Sequence, residues 1–270
     1  MNENSKMSRS DTVFTVIHVP HASKVIPEEV RGQFVLTDQL LSDELRLMTD
    51  AHTDELFEIP ETLARTVRYP ISRLVVDPER FVDDELEIMV KKGMGVVYTG
   101  TAAGTQLRRK LTTDERQRLI DQYYWPHHRK LSSQVSECLD ANHYCLIMDA
   151  HSFPSRPLPY ELDQAPSRPD ICIGTDSEHT PNWLSQKTEA VFKSFGWSVE
   201  VDRPFAGALV PNDYYRCDAK RVHSIMIEIN RGLYMDEQTG EKISAFNQVK
   251  DGISKVLVEL ISFVRQQQTA

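Results

Sequence analysis

Three polar clusters in this chain stand directly behind apolar runs, and they carry side chains that bind metal ions and move protons. The first, VIHVPHAS (16–23), ends in Pro20-His21 and a small-residue turn, and the second, LIMDAHS (146–152), delivers Asp149, His151 and Ser152. The third, SIMIEIN (224–230), alternates Ile225, Ile227 and Ile229 with Met226, Glu228 and Asn230, which makes Glu228 a carboxylate in an otherwise apolar strand. Two histidines and a carboxylate from separate elements are what a catalytic zinc ion needs, with a fourth position left open for water. His21 and His151 are the candidate ligands. Asp50 and Asp54, four apart on a predicted helix, could supply the carboxylate; as like charges they cost roughly 0.2–0.5 kcal/mol unless a cation compensates. Asp149 could instead orient His151 or the metal shell through a hydrogen bond.

Glu228 is the candidate general base, because a carboxylate in apolar surroundings has a raised pKa and can accept a proton near neutral pH. A zinc ion would lower the pKa of its water to about 7 and polarise the carbonyl under attack. The alternative for Glu228 is a structural ion pair with Arg73 or Arg231. Arg73 and Arg80, in ISRLVVDPER, could grip a substrate carboxylate bidentately, and Asn230 is grouped with them as a substrate-binding residue. His18 is a weaker candidate ligand than His21, and the pair His127-His128 reads as packing or surface within a helix.

The elements that must position these groups alternate. Runs rich in β-branched and aliphatic residues predict strands over Val13–Val19, Leu63–Val67, Leu74–Val76, Tyr144–Met148, Ile171–Ile173 and Ser224–Ile229. Helical spacing covers Thr37–Phe57, Thr113–Leu139, Trp183–Phe195 and Ser244–Val264. Such alternation predicts a three-layer α/β fold, a mainly parallel mixed sheet flanked by helices, with chemistry at the carboxyl edge of the strands. Arg80–Gly104 and the proline-rich Ser152–Asp170 are expected as loops over the site.

Composition narrows the partners. Forty acidic against 31 basic residues give a net charge of −9, which opposes binding to nucleic acid or anionic membranes. The opening MNENSKMSRSD lacks the apolar core of a signal peptide, and no run of roughly 20 apolar residues follows, so a cytoplasmic protein is expected. Cys138, Cys145, Cys172 and Cys217 show no CxxC pair and are expected as buried, reduced thiols. With no repeat or linker, residues 1–270 read as one domain with a disordered tail over 1–12.

Taken in order, these clusters resemble the N-formylglutamate amidohydrolase family. The likeness is carried by VPHAS (19–23), DAHTDELF (50–57), SRLVVDPER (72–80), YYWPHH (123–128), DAHSFP (149–154), RPFAGALVP (203–211) and EINRGLYM (228–235), across nearly the whole chain. The family is similar in fold to the zinc carboxypeptidases. The resemblance implies a zinc ion held by His21, His151 and Asp50, with Asp54 as second choice, Glu228 as base, and Arg73 and Arg80 near an N-formyl or N-acyl amino acid substrate. The family's usual DLNR motif reads Asp77-Pro78-Glu79-Arg80 here, adding a negative charge and a rigid proline beside the substrate arginine. Two other functions fit the same residues: a metal-dependent phosphoesterase, which wants two metals and more acidic ligands, and a non-catalytic small-molecule binder.

Overall fold

The computed structural model describes residues 12–269, so the expected tail lies almost wholly outside the described residues. Strands are β1 (Thr15–Val19), β2 (Arg65–Arg68), β3 (Cys145–Phe153), β4 (Ile171–Gly174), β5 (Val199–Val201) and β6 (Val222–Asn230). Helices are α1 (Glu28–Arg31), α2 (Asp38–Met48), α3 (Thr53–Leu56), α4 (Thr113–Leu119), α5 (Trp125–Asn142), α6 (Asn182–Ser194) and α7 (Phe246–Thr269). The strands form one six-stranded sheet in the order β2-β1-β3-β6-β4-β5. Every neighbouring pair is parallel except β4 with β6. The fold is therefore the expected mixed, mainly parallel α/β architecture.

Alternation along the strands assigns the two faces. Leu146, Met148 and Ala150 of β3 and Ile225, Ile227 and Ile229 of β6 join Ile253, Val256, Leu257 and Leu260 of α7 in the largest core cluster. Val16, Cys145, Ile147 and Val222 point the other way, against Leu131, Val135 and Cys138 of α5. Burying each such aliphatic side chain stabilises by about 1.5–3 kcal/mol. Residues of the α5-facing parity farther along β3 and β6, namely Asp149, His151 and Glu228, lie beyond these apolar contacts, at the carboxyl edge of the sheet.

Several local predictions need correction. Thr37–Phe57 is two helices, not one: α2 ends at Met48, and His52 stands in the left-handed region with φ 68° before α3 begins. Asp50 therefore sits in the break and Asp54 in the first turn of α3, so the two do not share a helix face. Leu74–Val76 is fully buried but is not a strand; the carbonyls of Leu74 and Val75 accept from the Arg108 guanidinium at 2.6 and 3.2 Å instead of from a strand partner. The long helix expected from Thr113 is capped by a Thr112/Glu115 capping box and widens into a π turn over Ile120–Tyr124. Pro126, just beyond, has no N–H for the carbonyl four residues earlier, which accounts for the widened turn. Strand β5, with Val201 exposed at the sheet edge, was not expected. Cys217 is exposed, while the other three cysteines are buried and all four are free.

Candidate metal centre

His21 follows β1 and His151 lies near the end of β3, and because these strands run parallel their ends reach the same edge. The imidazole centroids are 5.1 Å apart. Each ring hands one nitrogen to a buried aspartate, and each aspartate is held by an arginine. His21 Nε2 lies 2.9 Å from Asp77 Oδ1, and Asp77 Oδ2 accepts from Arg73 at 3.1 and 2.8 Å and from the Tyr98 hydroxyl at 2.8 Å. His151 Nδ1 lies 3.1 Å from Asp50 Oδ2, and Asp50 Oδ1 accepts from Arg231 at 2.9 Å. Arg231 is fixed in turn by the Leu47 carbonyl and the Ser152 hydroxyl.

The remaining nitrogens face anions. His21 Nδ1 is buried without a hydrogen-bond partner, 3.6 Å from Asp50 Oδ2 and 3.7 Å from Glu79 Oε2. His151 Nε2 lies 3.2 Å from Glu79 Oε2 and 3.3 Å from Asp149 Oδ1. With Nε2–H donated to Asp77, the Nδ1 lone pair of His21 points at two carboxylates, an arrangement that is repulsive unless a proton or a metal ion stands between them. The titration of both rings follows from this. Burial, and for His21 the charge of Arg73, lowers the two imidazole pKa values, but the surrounding carboxylates prevail: His21 is raised and His151 is raised well above its ordinary value. Asp77 is held well below the usual carboxylate range, since the charges of Arg73 and His21 outweigh its complete desolvation. Among the described residues two groups of donors converge, the atoms of each lying within 4.8 Å of one another: His21 with Glu79 and His151, and His18 with Glu79 and Asp149. Asp50 belongs to neither group, although its Oδ2 is near nitrogens of both His21 and His151.

Glu228 is paired in register with His151, so the two side chains stand on the same face of neighbouring strands, about 5 Å between strand axes. It is 7% exposed, and its Oε2 has no partner. Desolvation pushes its pKa up to about 8, with Asp50 and Glu79 adding to the rise and His151 and Arg231 opposing it. The anticipated ion pair with Arg73 or Arg231 is not made; those guanidiniums engage Asp77 and Asp50. Asp149 does meet His151, and it also holds His18 at 2.8 Å. His18 Nε2 in turn reaches His127 Nε2 at 2.8 Å.

A cavity of about 400 Å³ opens over this cluster and is lined by Arg73, Arg80, Phe81, Tyr160 and Phe205 besides the polar groups. Phe81 and Tyr160 come from the two segments expected as covering loops. Arg80 lines the cavity, while its Nε is buried without a hydrogen bond, 3.7 Å from Asp77 Oδ2. Arg73 lines it too, but with its charge engaged by Asp77. Asn230 is not among the lining residues; its amide donates to the Pro169 carbonyl and accepts from Gly232 N–H, tying loops together. Asp54 stands outside the cluster, in α3. Neither Asp77 nor Glu79 is a site residue in the sequence reading, which notes the DPER segment for its arginine and for the negative charge that departs from DLNR.

Comparison with known proteins gives one consistent family. A family model described as N-formylglutamate amidohydrolase matches residues 14–235. An N-formylglutamate deformylase of Pseudomonas putida is 26% identical over 228 residues, 82% of each chain. A protein of the same name from Pseudomonas aeruginosa is 28% identical over 229 residues, 83% of this chain and 82% of that one. The crystal structure of an N-formylglutamate amidohydrolase from Ralstonia eutropha JMP134 superposes with a TM-score of 0.84 at 24% identity, covering 95% of this chain and 96% of the other.

Proposed function

From the premise that this chain belongs to the N-formylglutamate amidohydrolase family and is an amidohydrolase, we propose that it hydrolyses the amide of N-formylglutamate or a closely related N-acyl amino acid with one bound zinc ion. The observation that carries the metal is the buried, partnerless Nδ1 of His21 facing two carboxylates. Without a metal ion that nitrogen must carry a proton to face those carboxylates, and a divalent ion can take the proton's place. His21, His151 and Asp50 would hold the ion, and this imidazole-rich set with one carboxylate suits zinc. When bound, the ion supplies Lewis acidity, polarising the acyl oxygen and easing ionisation of water.

The chain's own groups do the rest. Asp77 fixes the orientation of the His21 imidazole, and Arg73 and Arg231 keep Asp77 and Asp50 ionised. Glu228 accepts a proton from the attacking water as it adds to the formyl or acyl carbon, and returns that proton to the leaving nitrogen as the C–N bond breaks. A divalent charge close by would bring the Glu228 pKa down from its buried value, into the range of a base at neutral pH. Arg80, which lines the cavity, is the group that receives a substrate carboxylate.

We read the catalytic domain as single, since the family match spans residues 14–235 and α7 packs on the same sheet. Four free thiols suit the reducing cytoplasm, and among the described residues no helix is long and apolar enough to cross a membrane. The test is release of formate from N-formylglutamate by purified protein, before and after chelation. Activity that is lost to chelator and restored by one equivalent of zinc is the expected result; full activity in metal-free protein would overturn the reading, and two ions per chain would favour a phosphoesterase.

A further inference from the structure

We propose that Glu79 is a further ligand of the ion, adding a second carboxylate to the set of His21, His151 and Asp50; this rests on the metal reading above. Three observations carry it. Glu79 is common to both groups of converging donors, and one of its oxygens lies 3.2 Å from His151 Nε2 and 3.7 Å from His21 Nδ1. Donor atoms sharing one zinc ion sit roughly 3.0–3.5 Å apart, given metal–ligand bonds of about 2.0–2.2 Å, so these spacings need only small adjustment. The pair His18 and Asp149, in the other group, already satisfy each other at 2.8 Å, whereas His21 Nδ1 has no partner.

The second observation concerns counter-charge. Asp77 is neutralised by Arg73 and Asp50 by Arg231. Among the described residues Glu79 meets no arginine or lysine: its ion-pair partners are His18, His21 and His151, and the adjacent Arg80 leans toward Asp77 instead. Beside Asp149 and close to Glu228, a carboxylate with no permanent cation of its own is a natural seat for a divalent ion.

Thirdly, the side chain is placed there by the backbone. Glu79 N–H donates to Asp77 Oδ1 at 3.0 Å, the same oxygen that orients His21. Pro78 restricts the backbone just before it, and the Pro78 carbonyl accepts from His128 Nε2 at 2.7 Å. The segment is built to present Glu79 to the two imidazoles.

A second carboxylate makes the ligand set harder and more tolerant of oxygen-preferring ions such as Mn2+. The test is metal binding by equilibrium dialysis, with Mn2+, Co2+ and Zn2+, on the native chain and on Glu79→Gln. The neutral isostere should lower Mn2+ affinity on the order of 100-fold, lower Zn2+ affinity less, and change the visible absorption of the Co2+-loaded protein. Glu79→Asp should recover part of the Mn2+ affinity. Unchanged affinities and an unchanged Co2+ spectrum in Glu79→Gln, alongside loss of the ion in His21→Ala, would overturn this inference and leave the proposed function standing. Failure of the native chain to bind any of the three ions would overturn both.

Discussion

The chain has two pairs of deeply buried histidines a short distance apart, and they behave oppositely. His21 and His151 stand at strand ends among carboxylates, and their affinity for protons is raised. His127 and His128 are neighbours on α5, 5% and 9% exposed. Burial there, with the charge of His18 as the next contribution for His127, drops His127 to about 2, and burial drops His128 to about 4 in spite of its bond to the Pro78 carbonyl. All four rings are buried; only one pair is faced by carboxylates. A buried imidazole is a binding group where several anions face its nitrogens, and a neutral packing group where aromatic rings such as Tyr69 and Tyr124 surround it. His18 joins the two regimes, with Asp149 on one nitrogen and His127 on the other.

Removing one member of each pair gives the largest contrast. His21→Ala or His151→Ala should lose the ion and depress kcat/KM for N-formylglutamate on the order of 1,000-fold or more, since several kcal/mol of charge stabilisation go with the metal. His128→Gln should keep one ion per chain by metal analysis. Loss of the ion in His128→Gln with retention in His21→Ala would reverse the comparison.

Next in size is the base. Glu228→Gln should retain the ion yet lose about 100- to 10,000-fold in kcat, measured at saturating substrate; full activity would remove Glu228 from the mechanism. The support beneath the strand-end pair comes third. Asp77→Asn should weaken metal binding about 10- to 100-fold. Because it leaves the Arg73 guanidinium buried without its carboxylate, it should also destabilise the fold by about 3 kcal/mol. Chemical denaturation of the metal-free protein separates the two effects, and unchanged stability would show that Arg73 finds water or another acceptor.

How far these contrasts could be foreseen depends on backbone regularity. Alternation in SIMIEIN fixed Glu228 opposite the isoleucines, and two parallel strands ending in histidine fixed the meeting of His21 and His151, because a period-two pattern dictates side-chain direction. Asp50 was placed on a helix face by the same reasoning extended through Thr49–His52, where a left-handed His52 ends the periodicity. Glu79 lies in a turn and Asp77 in the irregular segment just before it, where no period relates sequence position to direction, and only the fold brings them to the histidines. Asn230 had the right parity, but its amide is consumed by loop carbonyl and amide groups that no strand pattern reveals.

The smallest expected effect concerns the neutral pair alone. His128 has a folded pKa of about 4 against about 6.5 in an unfolded chain. Between those values the unfolded chain binds a proton that the folded one refuses, so stability is fully present above pH 6.5 and is lost as the pH falls toward 4. The slope from one such group is at most about 1.4 kcal/mol per pH unit. Urea denaturation at pH 7, 6, 5 and 4.5 should therefore show a shallower decline for His128→Gln than for the native chain. The strand-end histidines, whose pKa values are raised, act in the opposite sense: their contribution is retained in acid until the carboxylates that face them protonate. Parallel declines in the two proteins would mean that His128 is already charged when folded, and the contrast between the two histidine pairs would then fail at its neutral end.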